Sequence, residues 1–160
     1  MEQPTDDAVF ERMMRPHLPV LYAYLRCRTR EPDDVLQETV LAVWQNLKAY
    51  RGDSSFRTFI LAVARRKLAD AYRKEYRNPT LPLTDDISDD DFSDTICECV
   101  DVGSALDTLT QRDRELVFLV YNAGLPLADI ARMLGIPVGT VKSRLSAIRA
   151  KLRKYLEEDA

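Results

Sequence analysis

Residues 127–145, LADIARMLGIPVGTVKSRL, constrain this chain more than any other stretch, because they read as a helix, a three-residue break and a second helix rich in cations. In the first helix Leu127, Ile130, Ala131 and Leu134 fall on one face at helical spacing, which lets that face pack against neighbours. Gly135-Ile136-Pro137 interrupts it with a residue tolerant of positive φ, an apolar plug for the corner and a proline suited to a helix start. In the helix that follows, Val141, Leu145, Ile148 and Leu152 form the inward stripe. This is the punctuation of a helix-turn-helix. Every charge between positions 138 and 154 is positive: Lys142, Arg144, Arg149, Lys151, Arg153 and Lys154.

Such a surface suits a polyanion, and the order of side chains suits DNA. A second helix laid in the major groove presents its first turns to base edges, while flanking Lys and Arg neutralise phosphates. Thr140, Ser143 and Ser146 are short and let the backbone approach closely. Lys142 and Arg144 can reach guanine edges or phosphate oxygens, and Arg149, further along, is expected to face phosphates or the rest of its domain. An antiparallel helix pair with an incidentally basic face is the plainer alternative; the tight corner and the absence of compensating acids argue against it.

A net charge of −3 over 160 residues would oppose DNA binding if it were evenly spread. It is segregated. Asp85, Asp86, Asp89, Asp90, Asp91, Asp94, Glu98 and Asp101 stand in residues 78–104 without a single Lys or Arg, while cations gather in residues 51–77 and 138–154. The acidic stretch also holds Pro79 and Pro82 and lacks the apolar content of a core, so it reads as a flexible linker. The predicted organisation is a domain over 1–77, a linker over 78–98 and a second domain over 99–160.

Glycine is scarce and period-2 alternation is nearly absent, whereas helical periodicity recurs in both halves, so the predicted fold class is all-α. Helices are expected over 6–15 and about 18–28, separated by Pro16. A longer one opens at Pro32-Asp33-Asp34, with proline and acids in its first turn, and buries Val35, Leu36, Val40, Val43, Trp44 and Leu47. After a break at residues 51–54, a Ser54 or Ser55 cap starts a helix from 56 to about 77 with Phe59, Ile60, Val63, Ala64 and Leu68 inward. In the second half, Thr110 caps a helix that carries Leu116, Val117, Leu119 and Val120 and ends at Gly124-Leu125-Pro126.

Several functions find no support in the sequence. No apolar run approaches the roughly 20 residues of a membrane span, and the start MEQPTDD does not resemble a signal peptide, so a cytoplasmic location is expected. Cys27, Cys97 and Cys99 are odd in number and not spaced as a disulfide framework. Cys97-Glu98-Cys99 supplies two thiols where zinc ordinarily takes four ligands, and no metal or cofactor is expected. The single histidine, His17, reads as a surface or half-buried structural residue. There is no phosphate-cradling glycine loop, no HExxH and no nucleophile elbow, so no catalytic residues are assigned.

Two further constellations lie in the first half. DDVLQETVLAVW, residues 33–44, sets Asp34, Gln37 and Glu38 beside an apolar stripe, a face able to dock a partner. YRGDSSFRTFILAVARRKLADAYRK, residues 50–74, interleaves aromatics with Arg51, Arg57, Arg65, Arg66, Lys67, Arg73 and Lys74. Rings that stack on exposed bases and cations that track a backbone suit unpaired nucleic acid.

Taken together, these motifs resemble the bacterial sigma factors of the extracytoplasmic-function group, the minimal initiation subunits of RNA polymerase, over nearly the whole chain. DDVLQETVLAVW and YRGDSSFRTFILAVARRKLADAYRK resemble the family's region 2, and LADIARMLGIPVGTVKSRL resembles its region 4. The resemblance implies that Asp34, Gln37, Glu38 and Trp44 meet the clamp helices of the polymerase β′ subunit. It implies that Arg51, Arg57, Phe59, Arg65, Arg66 and Arg73 act on the minus-ten promoter element, and that Thr140, Lys142, Ser143, Arg144, Ser146 and Arg149 act on the minus-thirty-five element. It further implies core RNA polymerase, including its β subunit, promoter DNA and an anti-sigma factor as partners. Phe59 stands where this family usually has tryptophan, and Arg66 where asparagine is common. The alternative is a one-component transcriptional regulator, whose first half would sense a ligand or dimerise.

Overall fold

Proline and acid chemistry set the helix boundaries in the first half of the chain. The computed structural model describes residues 6–75 and 103–158, divided between two compact units, Met1–Pro79 and Thr80–Ala160. In the first unit α1 (Asp6–Met14) starts with Asp6 and Asp7, whose charges favour a helix N-terminus. A 3-10 turn over Arg15–His17, containing Pro16, leads into α2 (Leu18–Arg26). Pro32 opens α3 (Pro32–Gln45) with Asp33 and Asp34 in its first turn. This helix stops at Asn46, whose side-chain amide donates to the Ala42 carbonyl at 2.8 Å. A 3-10 turn over Leu47–Ala49 and a positive φ at Gly52 reverse the chain. Ser55 then caps α4 (Phe56–Glu75): its hydroxyl oxygen accepts from the Thr58 N–H at 3.2 Å.

The first core forms where α4 packs on α3 and α2. Ile60, Leu61, Val63, Ala64 and Leu68 of α4 are buried with Leu21, Tyr24 and Leu25 of α2 and Val35, Ala42 and Val43 of α3. The expected stripe of α3 is rotated slightly. Thr39 is fully buried, its hydroxyl satisfied by donation to the Val35 carbonyl at 2.7 Å, while Leu36, Val40, Trp44 and Leu47 are only half-buried. Trp44 meets the Phe10 ring edge-on with centroids 5.0 Å apart. Arg28 is buried, donating from Nη1 to the Tyr24 carbonyl at 2.8 Å and lying 4.1 Å above the Tyr24 ring. Apolar periodicity carries no trace of this burial. Cys27 is disulfide-bonded, contrary to the expectation drawn from cysteine spacing; Cys97 and Cys99 lie outside the described residues, as does the predicted linker over 78–98.

In the second unit α5 (Gly103–Asp107) precedes α6 (Gln111–Val117), which Thr110 caps by accepting from the Asp113 N–H at 3.2 Å. The sequence suggests one continuous helix to Gly124. Instead α6 widens into a π-helical turn over Phe118–Asn122, closed by the Ala123 N–H on the Phe118 carbonyl at 2.9 Å. That wide turn keeps Leu119 and Ala123 buried. After Gly124 come α7 (Leu127–Leu134) and α8 (Val138–Glu158), which pack on each other and on the preceding helix. Ile130 and Ala131 of α7 and Val141, Leu145 and Ile148 of α8 are buried, in the predicted register. All regular structure among the described residues is helical, in keeping with the all-α reading.

Candidate nucleic-acid interface

The corner between α7 and α8 holds the second unit's basic helix in place. Gly135 takes the left-handed conformation, φ 69° and ψ 32°, a geometry that costs a residue with a Cβ but not glycine. The Ile136 N–H reaches the Ala131 carbonyl at 3.0 Å and the Gly135 N–H reaches that of Arg132 at 3.3 Å. These two bonds form a Schellman stop, which satisfies the last carbonyls of α7. Pro137 then presents its carbonyl to the N–H groups of Thr140 and Val141 at 3.0 and 3.2 Å, and α8 begins. On α7 the buried Asp129 pairs with Arg132, placing a negative charge in the first turn of that helix.

Burial of Val141, Leu145 and Ile148 turns the opposite side of α8 to solvent, and that side is a ridge of small residues. Gly139, Ser143, Ser146, Ala147 and Ala150 are all exposed. Cations flank the ridge on both sides. Lys142, Arg149 and Arg153 run along one flank, and Thr140, Arg144 and Lys151 along the other; Thr140 and Arg144 are half-buried, and the four remaining side chains are exposed. Three of these polar groups already have partners. The Ser143 hydroxyl donates to the Gly139 carbonyl at 3.0 Å, which leaves its lone pairs toward solvent. Arg149 donates from Nε to the Tyr121 hydroxyl at 2.9 Å, and Lys151 from Nζ to the Thr108 carbonyl at 2.8 Å. Of the two places the sequence allows for Arg149, phosphates or the rest of its domain, the structure shows a contact to the domain, and Lys151 makes one too.

The first unit offers a different surface. Tyr50, Phe56 and Phe59 form a ring cluster, with centroids 5.1 Å apart for Tyr50 and Phe59 and 5.6 Å for Tyr50 and Phe56. The Tyr50 hydroxyl donates to the Ser54 carbonyl at 2.5 Å, bracing the loop that carries Arg51. His17 closes the cluster edge-on against Phe56, and its Nδ1 accepts from Arg57 Nε at 3.2 Å. Burial, and secondarily the Arg57 charge, lower the His17 pKa below its ordinary 6.5. On α4, Phe59, Arg66 and Arg73 recur every seven residues and so share one face, where Arg66 and Arg73 are exposed and Asp70 lies 3.8 Å from Arg73. Arg65 lies off that face and is half-buried, and Arg51 is exposed on the loop before α4.

A third surface belongs to α3. Asp34, Gln37 and Glu38 are exposed together, and Leu41 joins them one turn on, 55% exposed in the middle of the polar face. Sequence reading passed over Leu41. Its signal was its offset from the Val35, Thr39, Ala42 and Val43 stripe, legible only once Thr39 is known to point inward. Trp44 flanks this face from its contact with Phe10.

Residues 10–78 match the Sigma-70 region 2 family and residues 99–152 the Sigma-70, region 4 family. The chain is 30% identical over 154 residues to the ECF RNA polymerase sigma factor SigM of Mycobacterium tuberculosis, covering 94% of this chain and 79% of that protein. It is 33% identical over 162 residues to SigL of the same organism, covering 94% and 90%. Its fold is similar to that of the sigma factor RpoE of Bartonella quintana, solved in complex with the anti-sigma factor NepR, with a TM-score of 0.69, 22% identity and coverage of 95% and 99%. A one-component regulator would have no reason to carry region 2. The chain belongs to the extracytoplasmic-function group of RNA polymerase sigma factors, the subunits that direct transcription initiation.

Proposed function

We propose that this sigma factor divides its work among the three surfaces described above. The α8 ridge enters the major groove of the minus-thirty-five element, with Lys142, Ser143 and Ser146 toward the bases and Thr140, Arg144 and Arg149 toward the backbone. The ring cluster, with Arg51, Arg57, Arg65, Arg66 and Arg73, takes the melted minus-ten strand, on which rings stack and cations follow phosphates. Asp34, Gln37, Glu38 and Trp44, joined by Leu41, grip the β′ clamp helices of core polymerase, and the second unit meets the β subunit. The chain itself performs no chemistry. An anti-sigma protein holds it inactive; the similarly folded RpoE of Bartonella quintana was solved in complex with the anti-sigma factor NepR. The domain limits that go with this division are 1–77, 78–98 and 99–160.

The observation that carries the reading is the α8 ridge: small side chains flanked on both sides by cations, on a helix fixed by a Schellman stop. A face of that shape lets backbone approach base edges closely while charges reach both walls of a groove. Run-off transcription with core polymerase over a randomised promoter pool tests it. The expected result is one family of promoters with two conserved elements, and Lys142 or Ser143 variants should shift preference only in the upstream one. Initiation at no promoter by folded, inhibitor-free protein would sink the reading. In the same assay, joint reversal of Asp34 and Glu38 to lysine should weaken polymerase binding with helicity intact. Unchanged affinity would move the docking face elsewhere.

A further inference from the structure

Arg149, like Lys151, is held before any ligand arrives, but its holder is a side chain rather than a backbone carbonyl. Its Nε donates to the Tyr121 hydroxyl at 2.9 Å, and its guanidinium carbon lies 6.0 Å from the centre of the Tyr121 ring. Tyr121 comes from the π-helical turn, and it is 57% exposed. An aromatic ring that open to solvent adds little to a core. We propose that Tyr121 is a positioning residue for promoter binding: it fixes the Arg149 fork so that its two terminal nitrogens meet a DNA phosphate at the wall of the groove. This rests on the assignment of α8 to the minus-thirty-five element made above.

The geometry of the guanidinium supports this division of labour. It carries five N–H donors in one rigid plane. The Tyr121 hydroxyl takes the single donor of the Nε edge, which leaves the four donors of the terminal nitrogens for an end-on, bidentate bond to a phosphate. Among the described residues no carboxylate pairs with Arg149 to compete for them. Arg149 shares its flank with Lys142, seven residues and about 10 Å back along the helix, so it follows the groove wall where the first turns have already entered. An arginine immobilised beforehand also loses less side-chain freedom on binding than a free one. The π-helical turn is what brings the hydroxyl there: its wide closure keeps Leu119 and Ala123 inward and turns Tyr121 out toward α8.

The test is a double-mutant cycle on holoenzyme, with a promoter duplex recovered by the wild-type holoenzyme from a randomised pool and affinity measured over a salt series. Arg149→Ala should weaken binding and reduce the slope of log affinity against log salt by roughly 1, the signature of one lost phosphate contact. Tyr121→Phe keeps the ring but loses the acceptor, and should weaken binding about two- to fivefold, a modest hydrogen-bond effect. In the Arg149→Ala background the same change should cost nothing further, because no donor to the Tyr121 hydroxyl remains there. Thermal unfolding of Tyr121→Phe should match wild type; if it does not, the comparison across backgrounds still separates a positioning role from a structural one. Equal weakening in both backgrounds, or no weakening in the wild-type background, overturns the proposal. So does an Arg149→Ala variant with unchanged affinity while Lys142→Ala binds poorly, which would leave α8 in the groove without this contact. If neither Lys142→Ala nor Arg149→Ala alters binding, the assignment of α8 itself fails.

Discussion

The first unit sets the half-buried rings Tyr50, Phe56 and Phe59 among its cations, whereas α8 has no ring at all between Val138 and Lys154 and presents serine, glycine and alanine instead. Charge alone does not distinguish these surfaces; the shape between the charges does. A duplex offers its base edges at the floor of a groove, so a protein that reads it needs a narrow ridge and side chains short enough not to hold the backbone away. An unpaired strand offers base faces, and a protein that holds it needs flat apolar area. The same chain therefore carries two cationic surfaces suited to opposite states of DNA.

The sharpest way to break this comparison is to exchange the two chemistries. Ser143→Phe places a ring on the ridge and should cost the holoenzyme about a hundredfold or more in minus-thirty-five recognition, a large part of the gap between specific and non-specific binding. Competitive binding of promoter and scrambled duplexes measures it, and a variant that retains its discrimination would mean that the ridge is not what enters the groove. Phe59→Ala, in the other surface, should slow open-complex formation by an amount corresponding to roughly 1–3 kcal/mol, the worth of one stacked base. Premelted promoter DNA should restore much of the loss if Phe59 assists melting. Phe59→Trp should be tolerated, since it extends a surface already made of rings.

A smaller effect separates the way the α8 surface is held from what it touches. An added Cβ at Gly135 meets nothing within 4 Å, so Gly135→Ala should destabilise through its left-handed backbone alone, by about 1–2 kcal/mol. Chemical denaturation of the intact protein should show the loss, and Asn at the same position should recover part of it. The smallest effect belongs to His17. Its pKa is lowered in the folded state, so the unfolded chain binds the proton first as pH falls, and stability is lost below the ordinary value of 6.5. Wild type should therefore lose slightly more stability than His17→Gln between pH 7 and pH 5, read by urea midpoints; identical slopes would show that burial and the Arg57 charge do not depress the His17 pKa in solution.

The outcome at particular residues separates what was legible in the sequence from what was not. Pro32 with Asp33 and Asp34, Ser55, Thr110 and Gly135 each mark a helix end through a local hydrogen bond or a fixed φ, and each of these signals lies within a few residues of the group it satisfies. The inward residues Ile130, Ala131, Val141, Leu145 and Ile148 follow from the 3.6-residue period for the same reason. Other features depend on groups distant in the chain. Burial of Thr39, and with it the exposure of Leu41, depends on α4 packing against α3. The π-helical turn replaces a regular helix end because Leu119, Ala123 and Leu125 must all reach one core. The pairs Tyr121–Arg149 and His17–Arg57 join residues 28 and 40 positions apart. Sequence by itself determined the helices, their caps and the segregation of charge, because these arise from local chemistry. Only the tertiary structure decided which side chains hold others in position, because hydrogen bonds between helices form where packing brings their donors and acceptors together.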